Sequence, residues 1–375
     1  MKILLFVLTV TTIYFAAHYY VFARVVYYLA LTSPIRNYVF WGIATIASLF
    51  IAGMFLERAY SSLLSEWIYK IGTTWLAFFL YFLLAIIAID ILYIISKIIP
   101  SLPTFSQKYR LILGAFMCVV VCITVLYGHI QAVRTQIVQI PITIHKKVEG
   151  KKNIRILMAS DLHFGAIIGE RWEKKFMNIV QQQNPEIVLL CGDIVDGDIG
   201  PVLRKKLGQH LQELQPSMGM YAITGNHEYI GGIDEALQYL TSINISVLRD
   251  TIITLPNGIQ IVGRNDLHSG HQRPLDSLLK SVDHTNPIIV MNHQPYNLRE
   301  AVNQKVDLHL SGHTHHGQLW PFNYITQSLF ELSWGYKQEQ STHLYVSSGF
   351  GTWGPTVRIG NKPEVVVFDL TFTEQ

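Results

Sequence analysis

Hydrophobic and polar positions divide the chain into two regions with different patterns. Up to about residue 130 the sequence reads as long, nearly unbroken apolar runs. Beyond about residue 135, short apolar runs alternate with polar segments. Four long runs stand out: Ile3–Phe22, Tyr38–Leu56, Trp75–Ile99 and Leu111–Tyr127. Each approaches or exceeds the ~20 residues that carry a helix across a bilayer core. Unpaired backbone polar groups are costly in lipid, so all four are expected to be helical. Their ends carry Tyr19, Tyr20, Tyr38, Trp41, Trp75 and Tyr127, rings suited to the headgroup level. The leader before the first run is only Lys2, and no small-residue cleavage site stands near Ala17. The first run therefore reads as a retained helix rather than a signal peptide.

Four spans place both ends of the protein on one side of a membrane. That side receives Lys2, Arg58, Lys70, Arg134 and a basic run of Lys146, Lys147, Lys151, Lys152 and Arg155. The other side receives Arg24, Arg36, Lys97, Lys108 and Arg110. The balance leans toward cytoplasmic termini, and only through the basic run. That run reads either as a solvated turn or as a patch for anionic lipid headgroups. The expectation is an integral protein of the cell (plasma) membrane, with the side of the C-terminal region open. Asp90 falls near the middle of the third run, with no second charge near the middle of these spans to pair with it. It reads either as an inward-facing acid bonded to another helix or as a functional charge, for example in transport.

The second region repeats one arrangement. Strand-like runs end in clusters of Asp, Asn and His: "IRILMASDLHFG", "EIVLLCGDIVDGD", "GMYAITGNHEY", "NPIIVMNHQP" and "VDLHLSGHTHHG". Helix-like stretches lie between several of them, at Glu170–Gln182, Pro201–Leu214 and Ile233–Ser242. Ile/Val/Leu strands alternating with helices predict an α/β domain. Ligands collect at the carboxyl ends of strands in such sheets. One Asp or Asn after a strand is a turn residue; five clusters in one domain point to a single site. The domain plan is a helical anchor over 1–130, a linker with a first strand over 131–152, and the site-bearing domain over 153–375.

Composition narrows the chemistry. Of 15 histidines, only His18 and His129 precede Thr135, which puts metal binding and proton transfer in the second region. The net charge of +3 is too small to argue for a nucleic-acid partner. Three cysteines, Cys118, Cys122 and Cys191, make no disulfide framework. Asp, Asn and His without a nearby thiolate suit Mn²⁺, Fe²⁺ or Zn²⁺. The candidates are too many for one tetrahedral ion. Two ions about 3.5–4 Å apart, bridged by a carboxylate, would use them all and clamp a phosphoryl group.

The order D-x-H, G-D, G-N-H, lone H and G-H-x-H, over about Ile154–Leu370, resembles the calcineurin-like metallophosphoesterase superfamily. The strings "GDIVDG", "GNHEY", "SGHTHHGQ" and "SSGFGTWGPTVRIGNKPEVVVFDL" resemble its YkuE/YaeI-like branch, several members of which are membrane-anchored. The resemblance implies a four-layer αββα sandwich. It implies Asp161, His163 and His315 on one metal, Asn226, His293 and His313 on the second, and Asp193 bridging. It also implies that His227 contacts phosphate and protonates the leaving oxygen, with attack by a metal-bridging hydroxide. The implied function is hydrolysis of a phosphomonoester, phosphodiester or pyrophosphate, on a small-molecule or lipid-linked substrate at the bilayer. A non-catalytic membrane sensor or scaffold that binds a phosphorylated ligand is the alternative.

Around this set the residues divide. Gly192, Gly225 and Gly312 are expected to allow tight backbone turns. Glu228 either orients His227 or starts a helix. Asp196 and Asp198 read as loop residues, and Asp266, which ends another strand, reads either as an ordinary strand-end residue or as support behind the site. Arg358, His316 and Gln318 are candidate substrate contacts, with a structural ion pair as the other reading for Arg358. His316 departs from the branch, which carries glycine there. Thr314 reads as a spacer and His309 as a satisfied strand histidine. His268, His271, His284 and His343 are expected at the surface or in loops. Trp320, Phe322, Phe330 and Trp334 form either core or an apolar lip facing the bilayer.

Overall fold

The computed structural model describes residues 2–99, 101 and 106–373. The chain divides into two compact units, Met1–Ile130 and Gln131–Gln375.

In the first unit, four helices are long and apolar enough to cross a membrane: α1 (Lys2–Tyr28), α2 (Ile35–Ala59), α3 (Leu63–Ile98) and α4 (Gln107–Ala132). Each extends beyond the apolar run that predicts it, because the flanking polar residues continue the helix. The extension changes the reading of Asp90. Arg24 lies inside α1, and its Nε donates to Asp90 Oδ2 at 2.6 Å. The Tyr20 hydroxyl donates to the same oxygen at 2.5 Å, and the Tyr28 hydroxyl donates to Oδ1. Asp90 therefore has a charged partner, contrary to expectation, and belongs to a clasp between α1 and α3. Two further contacts seat α1: Tyr14 Oη donates to Ala47 O at 2.9 Å, and Trp75 Nε1 donates to His18 Nε2 at 3.1 Å. Lipid supplies no hydrophobic drive between helices, so close packing and such hydrogen bonds hold them. Packing is tightest between α2 and α3. A Cβ on Gly72 would stand 2.3 Å from Phe50 N, and one on Gly53 would stand 2.6 Å from Tyr69 Cα.

The second unit holds two six-stranded sheets among the described residues. The first runs β1 (Gln136–Ile144), β12 (Glu364–Phe372), β2 (Asn153–Ala159), β3 (Ile187–Cys191), β4 (Met220–Ile223), β5 (Ser246–Leu248). The second runs β10 (Gly335–Glu339), β11 (Thr342–Val346), β9 (Leu308–Ser311), β8 (Ile288–Met291), β7 (Gln260–Gly263), β6 (Thr251–Thr254). Strands β2 to β5 are mutually parallel, as are β7, β8 and β9. β1 pairs in parallel with β12, so the segment that opens this unit is built into its sheet.

Period-two alternation explains the layers. Leu157, Ala159, Val188, Leu190 and Ala222 pack against Trp172, Phe176 and Val180 of α5 (Glu170–Gln183) and Leu240 of α8 (Ile233–Ser242). Their neighbours Ile156, Met158, Ile187, Leu189 and Cys191 face Ile261, Ile289, Met291, Leu308 and Leu310 of the other sheet. On the far side, Val262, Ile288 and Val290 meet Leu275, Leu278 and Leu279 of α9 (Leu275–Leu279) and Ala301 of α10 (Leu298–Asn303). Helix, sheet, sheet and helix stack in the expected four layers. Strands β3 and β8 are buried on both faces, which is why they read as unbroken apolar runs. His343 corrects a surface assignment: it lies buried on β11, 2.6 Å from Tyr336 Oη. His309 is buried on β9 with no partner at Nδ1, so it is not satisfied as expected. Burial lowers it to about 3, so it stays neutral.

The α1–α3 clasp yields a testable expectation. Asp90→Ala leaves Arg24 without its carboxylate and should destabilise the solubilised chain by about 1–3 kcal/mol, less than a fully buried pair because Arg24 keeps some exposure. Adding Arg24→Leu should recover part of that loss in a denaturation titration. A double variant as unstable as the single one would show that the ion pair does not carry the contact.

Candidate metal centre

Five strands end at one place. Residues 160–163 follow β2, 192–193 follow β3, 224–227 follow β4, 292–293 follow β8 and 312–316 follow β9. Because these strands are parallel within each sheet, their carboxyl ends share one edge of the sandwich. There the structure brings together Asp161, His163 and His315; His163, Asp193 and His227; and Asp193, His293 and His313. In each group the ligand atoms lie within 4.8 Å of one another. Asn226 joins the last group, with Oδ1 2.8 Å from His313 Nδ1.

The donor set fits divalent cations on geometric grounds. His293 Nδ1 lies 2.8 Å from Cys191 O, where it donates, so neutral His293 turns the lone pair of Nε2 inward. That nitrogen is buried without a hydrogen-bond partner, and Asp193 Oδ2 stands 3.0 Å from it. Two facing acceptors need a cation or a proton between them. His163 shows the same logic. Its Nδ1 lies 3.2 Å from Asp196 Oδ1, and its Nε2 ends 3.0 Å from His315 Nε2. Nitrogens that each sit about 2.1 Å from one ion stand about 3.0–3.4 Å apart for ligand angles between octahedral and tetrahedral. His315 Nε2 lies 3.3 Å from Asp161 Oδ1.

Backbone groups orient the carboxylates. Asp193 Oδ1 accepts from His227 N at 2.9 Å, which leaves Oδ2 toward the histidines. Asp161 accepts from His313 N, at 3.1 Å to Oδ1, and from the Ser160 hydroxyl. The chain bends sharply to achieve this. Asp161, His163, Asp193, His313 and His315 all have φ between 46° and 71°. Side chains other than glycine rarely adopt that region, and each such residue costs of order 1–3 kcal/mol. Glycines make the close approaches. A Cβ on Gly312 would fall 1.7 Å from Ser160 Oγ, and one on Gly225 would fall 2.2 Å from Asp193 Oδ1.

Buried carboxylates and histidines set each other's charge. Against burial, His293 and His227 hold Asp193 well below the usual carboxylate range. Against burial, Asp193 and Asp161 raise His293 to about 10. His227 rises to about 9, where burial is outweighed by Asp196 and Asp193. Burial lowers His313 and His315 to about 4, with Arg358 adding to the effect at His315. His313 and His315 are thus held neutral, the form that ligates.

Several expectations change. Asp196 is no plain loop residue: its side chain, 7% exposed, sets Oδ1 3.2 Å from His163 Nδ1 and 3.1 Å from His227 Nδ1. The only sequence signal was its position three residues after Asp193. Asp198 stays in the loop, accepting from Gly200 N. Glu228 does not orient His227. It is fully buried and accepts from Gly225 N, Asp193 N, Ile194 N and Val195 N, starting α7 (Asn226–Gly231) and tying the β3 loop to it. Asp266 takes the amide of Gln294 at 2.9 Å, and its charge helps raise His293.

The three residues expected to meet substrate are turned away. Arg358 is fully buried, donating to Gly351 O at 2.6 Å and Asn361 Oδ1 at 2.9 Å, and its Nη2 lies 3.2 Å from His315 Nδ1. It stands behind a ligand. Gln318 spends its amide on Trp353 and Pro355, pinning the glycine-rich loop. His316 is buried with Nδ1 3.3 Å from Ser333 Oγ and its ring 5.0 Å from that of Trp334. Thr314 is more than a spacer, since its hydroxyl donates to Ser333 O at 2.5 Å. Of the basic run, Lys146, Lys151 and Arg155 form ion pairs within this unit, with Asp307, Glu186 and Asp369.

The profile of the calcineurin-like phosphoesterase family matches residues 154–317, the stretch that carries every ligand described. An uncharacterised metallophosphoesterase of Aquifex aeolicus is 34% identical over 251 residues, covering 65% of this chain and 95% of that protein. A Helicobacter pylori metallophosphoesterase is 32% identical and covers 63% of this chain and 64% of its own length. A zebrafish protein described as transmembrane with a metallophosphoesterase domain is 26% identical, covering 66% of this chain and 60% of that protein. The chain belongs to the calcineurin-like metallophosphoesterases. It is a hydrolase of that family with four helices able to span a membrane.

The dual contact of Asp196 predicts its loss. Asp196→Asn should reduce metal-dependent turnover about 10–100-fold, as expected for a partner that fixes ligand histidines. Metal titration should show weaker binding as well. Unchanged affinity and turnover would reduce Asp196 to a bystander.

Proposed function

We propose that this protein is a membrane-anchored, two-metal phosphoesterase that hydrolyses a phosphomonoester, phosphodiester or pyrophosphate. The observation that supports it most is the convergence of seven donor side chains from five strand ends, with His227 beside them. The donors divide into Asp161, His163 and His315 on one side and Asn226, His293 and His313 on the other. Asp193 Oδ2 faces both, 3.0 Å from His293 Nε2 and 4.0 Å from His163 Nε2. Mn²⁺, Fe²⁺ or Zn²⁺ all suit these donors. Two such ions would neutralise phosphoryl oxygens and acidify a water between them.

The chain's own groups supply the rest. His227 Nδ1 rests on Asp196, so the far edge of the ring is free to deliver a proton to the departing oxygen. Asp196 stabilises the imidazolium that does so. Burial of Asp161, Asp193 and His293 keeps bulk water from competing for the donors. The four apolar helices and the transmembrane relatives support placement in a cell membrane.

Full-length protein in detergent with Mn²⁺ should hydrolyse bis-p-nitrophenyl phosphate, and chelation should abolish this. Asp193→Ala and His313→Ala should each lower turnover by at least about 100-fold, the upper end for residues that support ligands. Full activity in both variants would sink the two-metal reading, and ligand binding without any turnover would favour a sensor. His227→Gln should cost about 10²–10⁴-fold with an alkoxide leaving group. It should cost much less with p-nitrophenolate, which leaves without a proton. Equal losses on both would remove His227 as the acid.

A further inference from the structure

One segment beside the metal centre combines firm anchorage with outward-facing apolar side chains. Residues 320–334 leave the ligand loop and return to it. At the near end, Trp320 N donates to Ile359 O at 2.9 Å. Gly317, at φ 74°, lets the chain fold so closely that a Cβ there would stand 2.4 Å from Asn323 N. At the far end, Thr314 and His316 hold Ser333, and Trp334 Nε1 donates to Glu364 Oε1 at 3.1 Å. Between them lies α11 (Phe322–Leu329), which buries none of its side chains. Phe322, Ile325 and Leu329 recur at i, i+3 and i+7, one stripe of a helix, and are 40%, 52% and 65% exposed. No charged residue occurs from 320 to 330.

The stripe continues to the site. Leu329 is followed by Phe330, whose ring lies 6.2 Å from that of His313 and 4.9 Å from that of Tyr296. A phosphoester at the metals would therefore have an apolar surface on the flank of His313 and Phe330. The chain also carries four helices of membrane-spanning length, which tether the site to a source of lipid.

We propose that α11 and Phe330 form a docking surface for the hydrocarbon chain of a membrane-lipid phosphoester, the substrate class of this enzyme. The inference rests on the phosphoesterase reading and extends it to what is bound. His316 serves this surface by holding the strap against the ligand loop rather than by touching substrate.

Inhibition by dialkyl phosphates tests it. Full-length protein in nanodiscs with Mn²⁺ hydrolyses bis-p-nitrophenyl phosphate in the presence of dibutyl, dioctyl or didodecyl phosphate. The inhibition constant of the wild type should fall about tenfold or more from butyl to dodecyl, since each buried methylene adds to binding. In Phe322→Ser/Ile325→Ser/Leu329→Ser the constant should vary little with chain length, with uninhibited turnover unchanged. Ile325→Leu alone, which keeps the apolar stripe, should retain the wild-type trend. A wild-type series independent of chain length overturns the proposal. So does a triple variant that keeps the full trend, or one that loses turnover and inhibition together. A flat series with a dimer that the triple substitution dissolves assigns the face to a second copy and also overturns it. Absence of any turnover in the wild type instead strikes the phosphoesterase reading on which the inference stands.

Discussion

The second unit is organised around three carboxylates at the joined ends of two sheets: Asp161 and Asp193 are buried, and the side chain of Asp196 is 7% exposed. Charges in such a place are tolerated only when each is met by donors or cations. Backbone N–H groups of His227 and His313 meet part of that demand. Without a metal, His293 and His227 meet another part by holding protons more tightly than free histidines, and a cation would take the place of the His293 proton. Arg358 adds a fixed positive charge behind His315. Divalent ions are the remaining answer, and the donor geometry fits them. The left-handed backbone at five ligand positions follows from the same constraint, because no regular turn would aim so many polar groups at one spot. That strain is offset by the rigid four-layer frame around it.

The membrane unit obeys the same rule in a different solvent. Asp90 is met by one arginine and two tyrosines, all on one face of α1, so burial of a carboxylate again decides which elements touch. The glycines of α2 and α3 act differently. They bring backbones together where there is no hydrophobic drive, and the gain comes from dispersion between atoms in contact.

Much of this was legible in the sequence because it is written in local order. Strand runs ending in Asp, Asn or His identify themselves one at a time, and parallel topology does the rest. The helix of Ile233–Ser242 is located to the residue by its amphipathic period. Less legible were residues whose role depends on which loop lies across from them. Asp196 looks like a turn residue until His163 and His227 are seen on either side. Thr314, His316 and Gln318 sit among ligands in sequence but point to the loops at 333 and 353. Arg24 escaped notice for another reason: hydropathy ended its helix at Phe22, while backbone hydrogen bonding carries it to Tyr28. Arg358 was recognised as special, but an arginine held by carbonyls cannot be told from one held by phosphate without the fold.

One carboxylate oxygen has a wider significance. Asp196 Oδ1 serves both His163, a candidate metal ligand, and His227, the proposed proton donor. A ligand and an acid that share a single atom cannot be tuned separately. Whatever draws electron density from His163, including exchange of one metal for another, is felt through that oxygen as a change in how firmly His227 keeps its proton. A metal held by His163 would thereby also set the acid strength of His227.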